Sequence, residues 1–240
     1  MSGADAMTPA VLVLFDIDGT LIRSGGAGVR GMNEAFARLH GRSGALDGVP
    51  VSGRTDRAIL EEVFGRWDQV LTEDLVGPLR ESYLTELARA LRQVPAPGVE
   101  VLPGVQRALD ALEAHPSFAL GLLTGNFEEG AALKLGHVDL WRRFRFGAFG
   151  DAHADRRALV PVAIARARAC GIEAAGVVVI GDTPLDVDCA HAHGATAVAV
   201  ATGEYSAEAL AATGAEVVVE TLEELEPIAE RLAALSAVAG

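Results

Sequence analysis

Five apolar residues in an unbroken row, Val11-Leu12-Val13-Leu14-Phe15, run straight into Asp16-Ile17-Asp18-Gly19-Thr20-Leu21. A row without polar alternation is buried on both faces, which is the mark of an interior strand in a parallel sheet. Further apolar rows stand at residues 119–123, 146–149, 177–180, 197–200 and 217–219, with helical stretches at 105–114, 128–136 and 158–170 between them. Short continuous strands alternating with helices predict an α/β chain with a doubly wound parallel sheet and residues 11–15 as its central strand. In such sheets chemistry sits beyond the carboxyl ends of the strands.

Residues 23–97 break this rhythm. They carry helical spacing at Met32, Phe36 and Leu39, at Ile59, Val63 and Phe64, and at Leu79, Tyr83, Leu87 and Leu91, with no strand pattern. The expected organisation is a core of residues 10–22 and 98–240 with an all-helical insertion at 23–97, hinged near Pro95-Ala96-Pro97-Gly98. Inside the insertion, Gly26-Ala27-Gly28-Val29-Arg30-Gly31 matches GxGxxG, and Asp47 follows at a suitable distance for a ribose contact. The glycines of a dinucleotide site must follow their strand directly. Here ten residues intervene, so the segment reads as a flexible entry to the insertion.

Three strand ends carry chemistry. Asp16 and Asp18, at i and i+2, project the same way and repel each other unless a cation or a shared task holds them together. Val177 to Ile180 delivers a second acidic cluster, Gly181-Asp182-Thr183-Pro184-Leu185-Asp186. Between them, residues 119–123 end in Thr124-Gly125-Asn126, a hydroxyl and two kinds of amide suited to an anion. Carboxylates beside an anion-binding loop call for a divalent metal and a phosphate.

The ordered set DxDGTL, a strand-terminal Thr and GDTxxxD resembles the haloacid dehalogenase superfamily, mostly phosphoryl-transfer enzymes with a Rossmann-like core, and the resemblance spans nearly the whole chain. It implies Asp16 as nucleophile and Asp18 as general acid and base, with Thr20 and Gly19 supporting the loop. It also implies that Thr124, Gly125 and Asn126 contact phosphate or substrate. Mg2+ would be held by Asp16, a carbonyl at Asp18, Asp182 and, through water, Asp186. The family's third motif is normally a lysine, and this chain has a single lysine, Lys134. Counted along a helix at about 1.5 Å per residue, Lys134 falls ~15 Å from the phosphate. Arg157, just before the helix at 158–170, is expected to supply the cation instead, ahead of Arg156. The insertion corresponds to the family's helical cap, where Arg54, with Arg23 and Asp56 behind it, is the candidate for substrate contact.

The resemblance points to a phosphatase of small phosphorylated metabolites, near the phosphoglycolate phosphatases. The alternatives are a β-phosphoglucomutase-like mutase, a haloacid dehalogenase and a non-catalytic protein of the same fold. Dehalogenating members lack an Asp at the position of Asp18, and the Schiff-base lysine of phosphonoacetaldehyde hydrolase has no counterpart in residues 23–97. With 20 Lys plus Arg against 33 Asp plus Glu, the net charge of −13 disfavours nucleic acid and anionic membranes as partners. Cys170 and Cys189 lack metal or disulfide spacing. No signal-like start or long apolar run is present, so a cytoplasmic monomer or homodimer is expected.

Overall fold

Each apolar row lies in one parallel sheet of six strands. The computed structural model describes residues 7–225 and 227–238. In chain order the elements begin with β1 (Thr8–Phe15) and β2 (Ile22–Arg23), followed by the helices α1 (Ala27–His40), α2 (Asp56–Gly65) and α3 (Glu73–Arg92). Then come β3 (Glu100–Val101), α4 (Val105–Glu113), β4 (Phe118–Leu123), α5 (Glu128–Gly136) and β5 (Phe146–Ala148). The chain continues with α6 (Leu159–Ala169), β6 (Ile172–Gly181), α7 (Pro184–His191) and β7 (Thr196–Val200), and closes with α8 (Ala207–Ala211), β8 (Val217–Val219) and α9 (Ile228–Val238). The sheet order is β5-β4-β1-β6-β7-β8, with every pairing parallel.

β1 is uniformly apolar because both its faces are covered. Val13 and Phe15 pack with Leu109 and Leu112 of α4 and with Leu232 of α9. Leu12 and Leu14 point the other way, into Val160 and Ala163 of α6 and Val187 of α7. Each such side chain contributes about 1.5–3 kcal/mol through burial. The pairing starts before the apolar row, with Thr8 and Pro9 opposite Ile172 and Glu173 of β6. Residues 1–6 lie outside the described residues.

β1 sits between β4 and β6, so the carboxyl ends of these three strands meet at one edge. That edge is where the connections diverge to opposite sides of the sheet, the place where an open α/β sheet leaves a crevice. Immediately after it, β2 pairs antiparallel with β3, Ile22 opposite Val101 and Arg23 opposite Glu100. Between those two short strands, α1–α3 pack around their own cluster, which includes Phe36, Leu60, Phe64, Leu79 and Leu87. Phe36, Phe64 and Trp67 pack edge to face or tilted at centroid distances of 5.4–5.9 Å, a favoured aromatic geometry. The GxGxxG segment lies in and before α1, where Gly31 serves packing: a Cβ there would stand 2.9 Å from the backbone nitrogen of Leu87 on α3.

Candidate active site

Asp16 is the first residue beyond β1, and its amide is tied to the carbonyl of Ile180 on β6 (2.9 Å). Its carboxylate is 5% exposed and lies 3.2 Å from an Nη of Arg156. Burial, together with the charges of Asp186 and Asp18, outweighs Arg156 and raises its pKa to about 6. Asp182, beyond β6, accepts from the Thr20 hydroxyl (3.2 Å) and is pushed to about 8, chiefly by burial and by Asp16. Asp186 sits in the first turn of α7. One oxygen is 2.6 Å from Arg156, and the other accepts from the Thr183 amide and hydroxyl in a capping box.

Ligand atoms of Asp16, Asp182 and Asp186 lie within 4.8 Å of one another. Three buried carboxylates around one point are a hard-oxygen donor set suited to a divalent cation, and Arg156 offsets only part of their charge. Among the described residues one oxygen of Asp182 has no side-chain partner, whereas both oxygens of Asp186 are engaged. The position of Asp182 depends on two glycines. A Cβ on Gly203 would stand 1.7 Å from Asp182 Oδ2 and one on Gly19, at φ +83°, would stand 2.3 Å away.

Asp18 differs from Asp16 although it is two residues away. Its side chain is 38% exposed and accepts from Ser24 (2.9 Å), Asn126 (3.1 Å) and Lys134 (2.5 Å). Burial acts to raise its pKa, but the Lys134 ion pair and these hydrogen bonds prevail and hold it below the usual carboxylate range. Thr124 is fully buried and its Oγ1 accepts from the Asn126 side chain (2.8 Å).

The structure corrects the expected third-motif cation. Arg157 is exposed and chelated by Asp155 at 2.9–3.2 Å, facing away from Asp16. Arg156 is the buried one: it reaches Asp16, Asp186 and the carbonyls of Leu123 and Gly53. Burial works against its charge, yet Asp186 and Asp16 raise its pKa further. Both arginines lie in the 3₁₀ turn Arg156–Ala158, where successive side chains diverge by about 120°. A one-residue slip therefore exchanges inside for outside.

Lys134 is corrected as well. It is 4% exposed, with Nζ on Asp18 and Asn126 (2.6 Å). The distance estimate failed because residues 124–127 form a loop and α5 starts only at Glu128, so Lys134 lies in its second turn. Its side chain then leans back toward the helix start. Standing as the chain's only lysine was the available signal.

Arg54, at the crevice, has its guanidinium engaged within the insertion. It is paired with Glu62 and donates to the carbonyls of Pro50 and Ala58, 3.2 Å each. The loop carrying it is nonetheless clamped to the core. Asp56 N–H donates to Gly125 O (2.6 Å), Phe127 N–H to the Asp56 carboxylate (2.8 Å), Thr55 to Ala154 O (3.0 Å) and Arg156 to Gly53 O (2.8 Å). Gly125 makes this approach possible, since a Cβ there would stand 2.0 Å from Arg54 O. Burial raises Asp56 to about 6 against the pull of Lys134.

A doubly wound sheet with a carboxylate cluster and a buried arginine at its central strand ends defines an α/β enzyme. More specifically, the chain belongs to the haloacid dehalogenase-like hydrolases, whose family model matches residues 13–200. It is similar to a protein named probable phosphatase IndB from Dickeya dadantii, 26% identical over 94% of this chain and 96% of that protein. A phosphoglycolate phosphatase of Rhodospirillum rubrum is 27% identical over 85% and 84%. The fold matches the crystal structure of a hydrolase from Pseudomonas syringae with a TM-score of 0.67, at 21% identity over 92% and 98% of the two chains. Among the described residues, no helix is long and apolar enough to cross a membrane.

Proposed function

We propose that this protein is a Mg2+-dependent phosphatase of small phosphorylated metabolites that works through an aspartyl-phosphate on Asp16, with residues 23–97 as its cap. The observation that carries the reading is the unlike setting of two neighbouring aspartates: Asp16 sits beside Arg156 within a carboxylate cluster, while Asp18 opens to the crevice. The curated relatives of nearly equal length carry phosphatase names, which supports it.

In the first step a carboxylate oxygen of Asp16 attacks phosphorus and the P–O bond to the alcohol breaks, Asp18 giving the alcohol its proton. In the second, Asp18 takes a proton from water whose oxygen attacks the same phosphorus, releasing inorganic phosphate and restoring Asp16. Arg156 orients Asp16, and Thr124 with the Gly125 amide offers donors to the phosphoryl oxygens. The Lys134 pair holds the Asp18 pKa low, so its ionised form suits the second step, while its proton-donating form is scarce and the first step is most favourable for good leaving groups. Mg2+, held by Asp16, Asp182 and the Asp18 carbonyl, would neutralise charge on the transferring group.

The test is phosphate release from p-nitrophenyl phosphate with Mg2+, together with acid-quench trapping of a phosphoenzyme. Release that stops with chelator and returns with Mg2+ is expected. A folded protein that neither releases phosphate nor traps it would refute the reading. Recovery of labelled phosphate in a sugar product, in place of free phosphate, would turn it toward the mutase.

A further inference from the structure

The crevice between the helical insertion and the sheet has a volume of about 470 Å³, and its two walls are unlike. The sheet side supplies the acids and cations described above. The insertion side presents Val29, Met32, Leu46, Val51 and Ile59, together with the ring of Tyr83. Its one carboxylate buried at the crevice is Asp56, 8% exposed.

The lining cations that are buried or half-buried already have partners, and only Arg23, 59% exposed, stands largely in solvent. Lys134 is held by Asp18 and Asn126, Arg54 by Glu62, and Arg156 by Asp16 and Asp186. Arg23 donates to Thr202 O (3.2 Å) and lies 3.8 Å from Glu100. The Nε of Arg156 has no partner, but that side chain belongs to the floor beside Asp16, where the phosphoryl group sits. One polar group near the insertion wall is uncommitted. The Tyr83 side chain is 1% exposed, and its hydroxyl makes no hydrogen bond among the described residues. Gly28 packs close to it, since a Cβ there would stand 3.7 Å from that oxygen and 3.3 Å from Lys134 Nζ.

We propose, resting on the phosphatase reading, that the site takes the phosphate ester of an uncharged, largely apolar alcohol and rejects esters whose alcohol part carries a carboxylate. A carboxylate there would lose its water against Met32, Leu46 and Ile59, where no buried cation is free to replace it. It would also face Asp56 at like charge. Drawing Lys134 away from Asp18 to serve it would leave a catalytic acid unpaired beside three others.

The experiment compares kcat/KM within two matched pairs under saturating Mg2+: 2-hydroxyethyl phosphate against phosphoglycolate, and phenyl phosphate against 4-carboxyphenyl phosphate. p-Nitrophenyl phosphate serves as the common reference. The neutral member of each pair is expected to be favoured by about tenfold or more, the effect of a like charge in a desolvated pocket. A smaller preference, or the reverse, with p-nitrophenyl phosphate still turned over, overturns the inference and leaves the phosphatase reading intact. No turnover of any ester overturns both.

Discussion

At the floor of the crevice four aspartates, Asp16, Asp18, Asp182 and Asp186, share a small volume with Arg156 and Lys134. Across the crevice, the insertion faces them with valine, leucine, isoleucine and methionine. The floor is costly to build: burial and mutual repulsion raise Asp16 and Asp182 to about 6 and 8. It persists because the apolar sheet beneath holds the strand ends in place. The roof has no such tension, and its cluster around Phe36 and Phe64 is ordinary helix packing. A charge-dense floor suits one invariant group, whereas an apolar roof is free to vary with the rest of a substrate.

The comparison breaks most sharply at Asp16. Asp16→Asn keeps the shape but removes the carboxylate proposed to attack phosphorus, and turnover should fall by roughly a thousandfold or more. Single-turnover kinetics on the folded variant read this directly, and near wild-type rates would dissociate the floor from the chemistry.

The paired arginines come next. Arg156→Ala leaves Asp16 and Asp186 buried without their counter-ion, and chemical denaturation should show a loss of about 3–5 kcal/mol along with activity. Arg157→Ala should stay within about 0.5 kcal/mol, since its exposed pair with Asp155 contributes little. Equal effects would contradict the inside and outside assignments of the two side chains.

Metal addition tests whether the carboxylate cluster is a cation site. Mg2+ at about a hundred times its dissociation constant should add about 2.7 kcal/mol to wild-type stability, seen as a rise in Tm. Asp182→Asn should lose most of that response. An undiminished Tm rise in the variant would move the ion elsewhere.

The smallest effect concerns the seam between the two regions. Asp56 titrates near 6 in the folded chain, above its ordinary 3.8. A carboxyl with a raised folded pKa contributes stability that is complete below about 3.8 and is lost as pH rises through about 6. Asp56→Asn keeps an acceptor for the Phe127 amide while removing the charge. It should therefore stabilise the protein by on the order of 1–2 kcal/mol at pH 8 and by little at pH 4. A variant equally or less stable than wild type at pH 8 would show that Lys134 fully compensates the Asp56 charge.

The strand ends were legible because the signal is local. An apolar row followed by Asp-x-Asp-Gly needs only its own neighbours to become a buried strand with acids at its tip, so β1, β4 and β6 and the residues Asp16, Asp18, Thr124, Asn126, Asp182 and Asp186 could be placed from the chain alone. Helical spacing likewise marked α1–α3, because an amphipathic face is written in the sequence at period 3.6. Arg54 was expected to meet a substrate anion, and the sequence held no indication that Glu62, eight residues on, would take its guanidinium.

What the sequence by itself determined, then, is the doubly wound sheet, the helical insertion after β2 and the acids gathered at the strand ends. Tertiary structure alone decided which cations stand among them. Arg156 and Arg157 are identical in type and adjacent, and the direction of a side chain in a one-turn 3₁₀ helix depends on how that turn docks against β1 and α7. Lys134 reaches Asp18 only because the loop after Thr124 brings the start of α5 back over the sheet. Such placements depend on contacts between segments more than a hundred residues apart, and no local pattern encodes them.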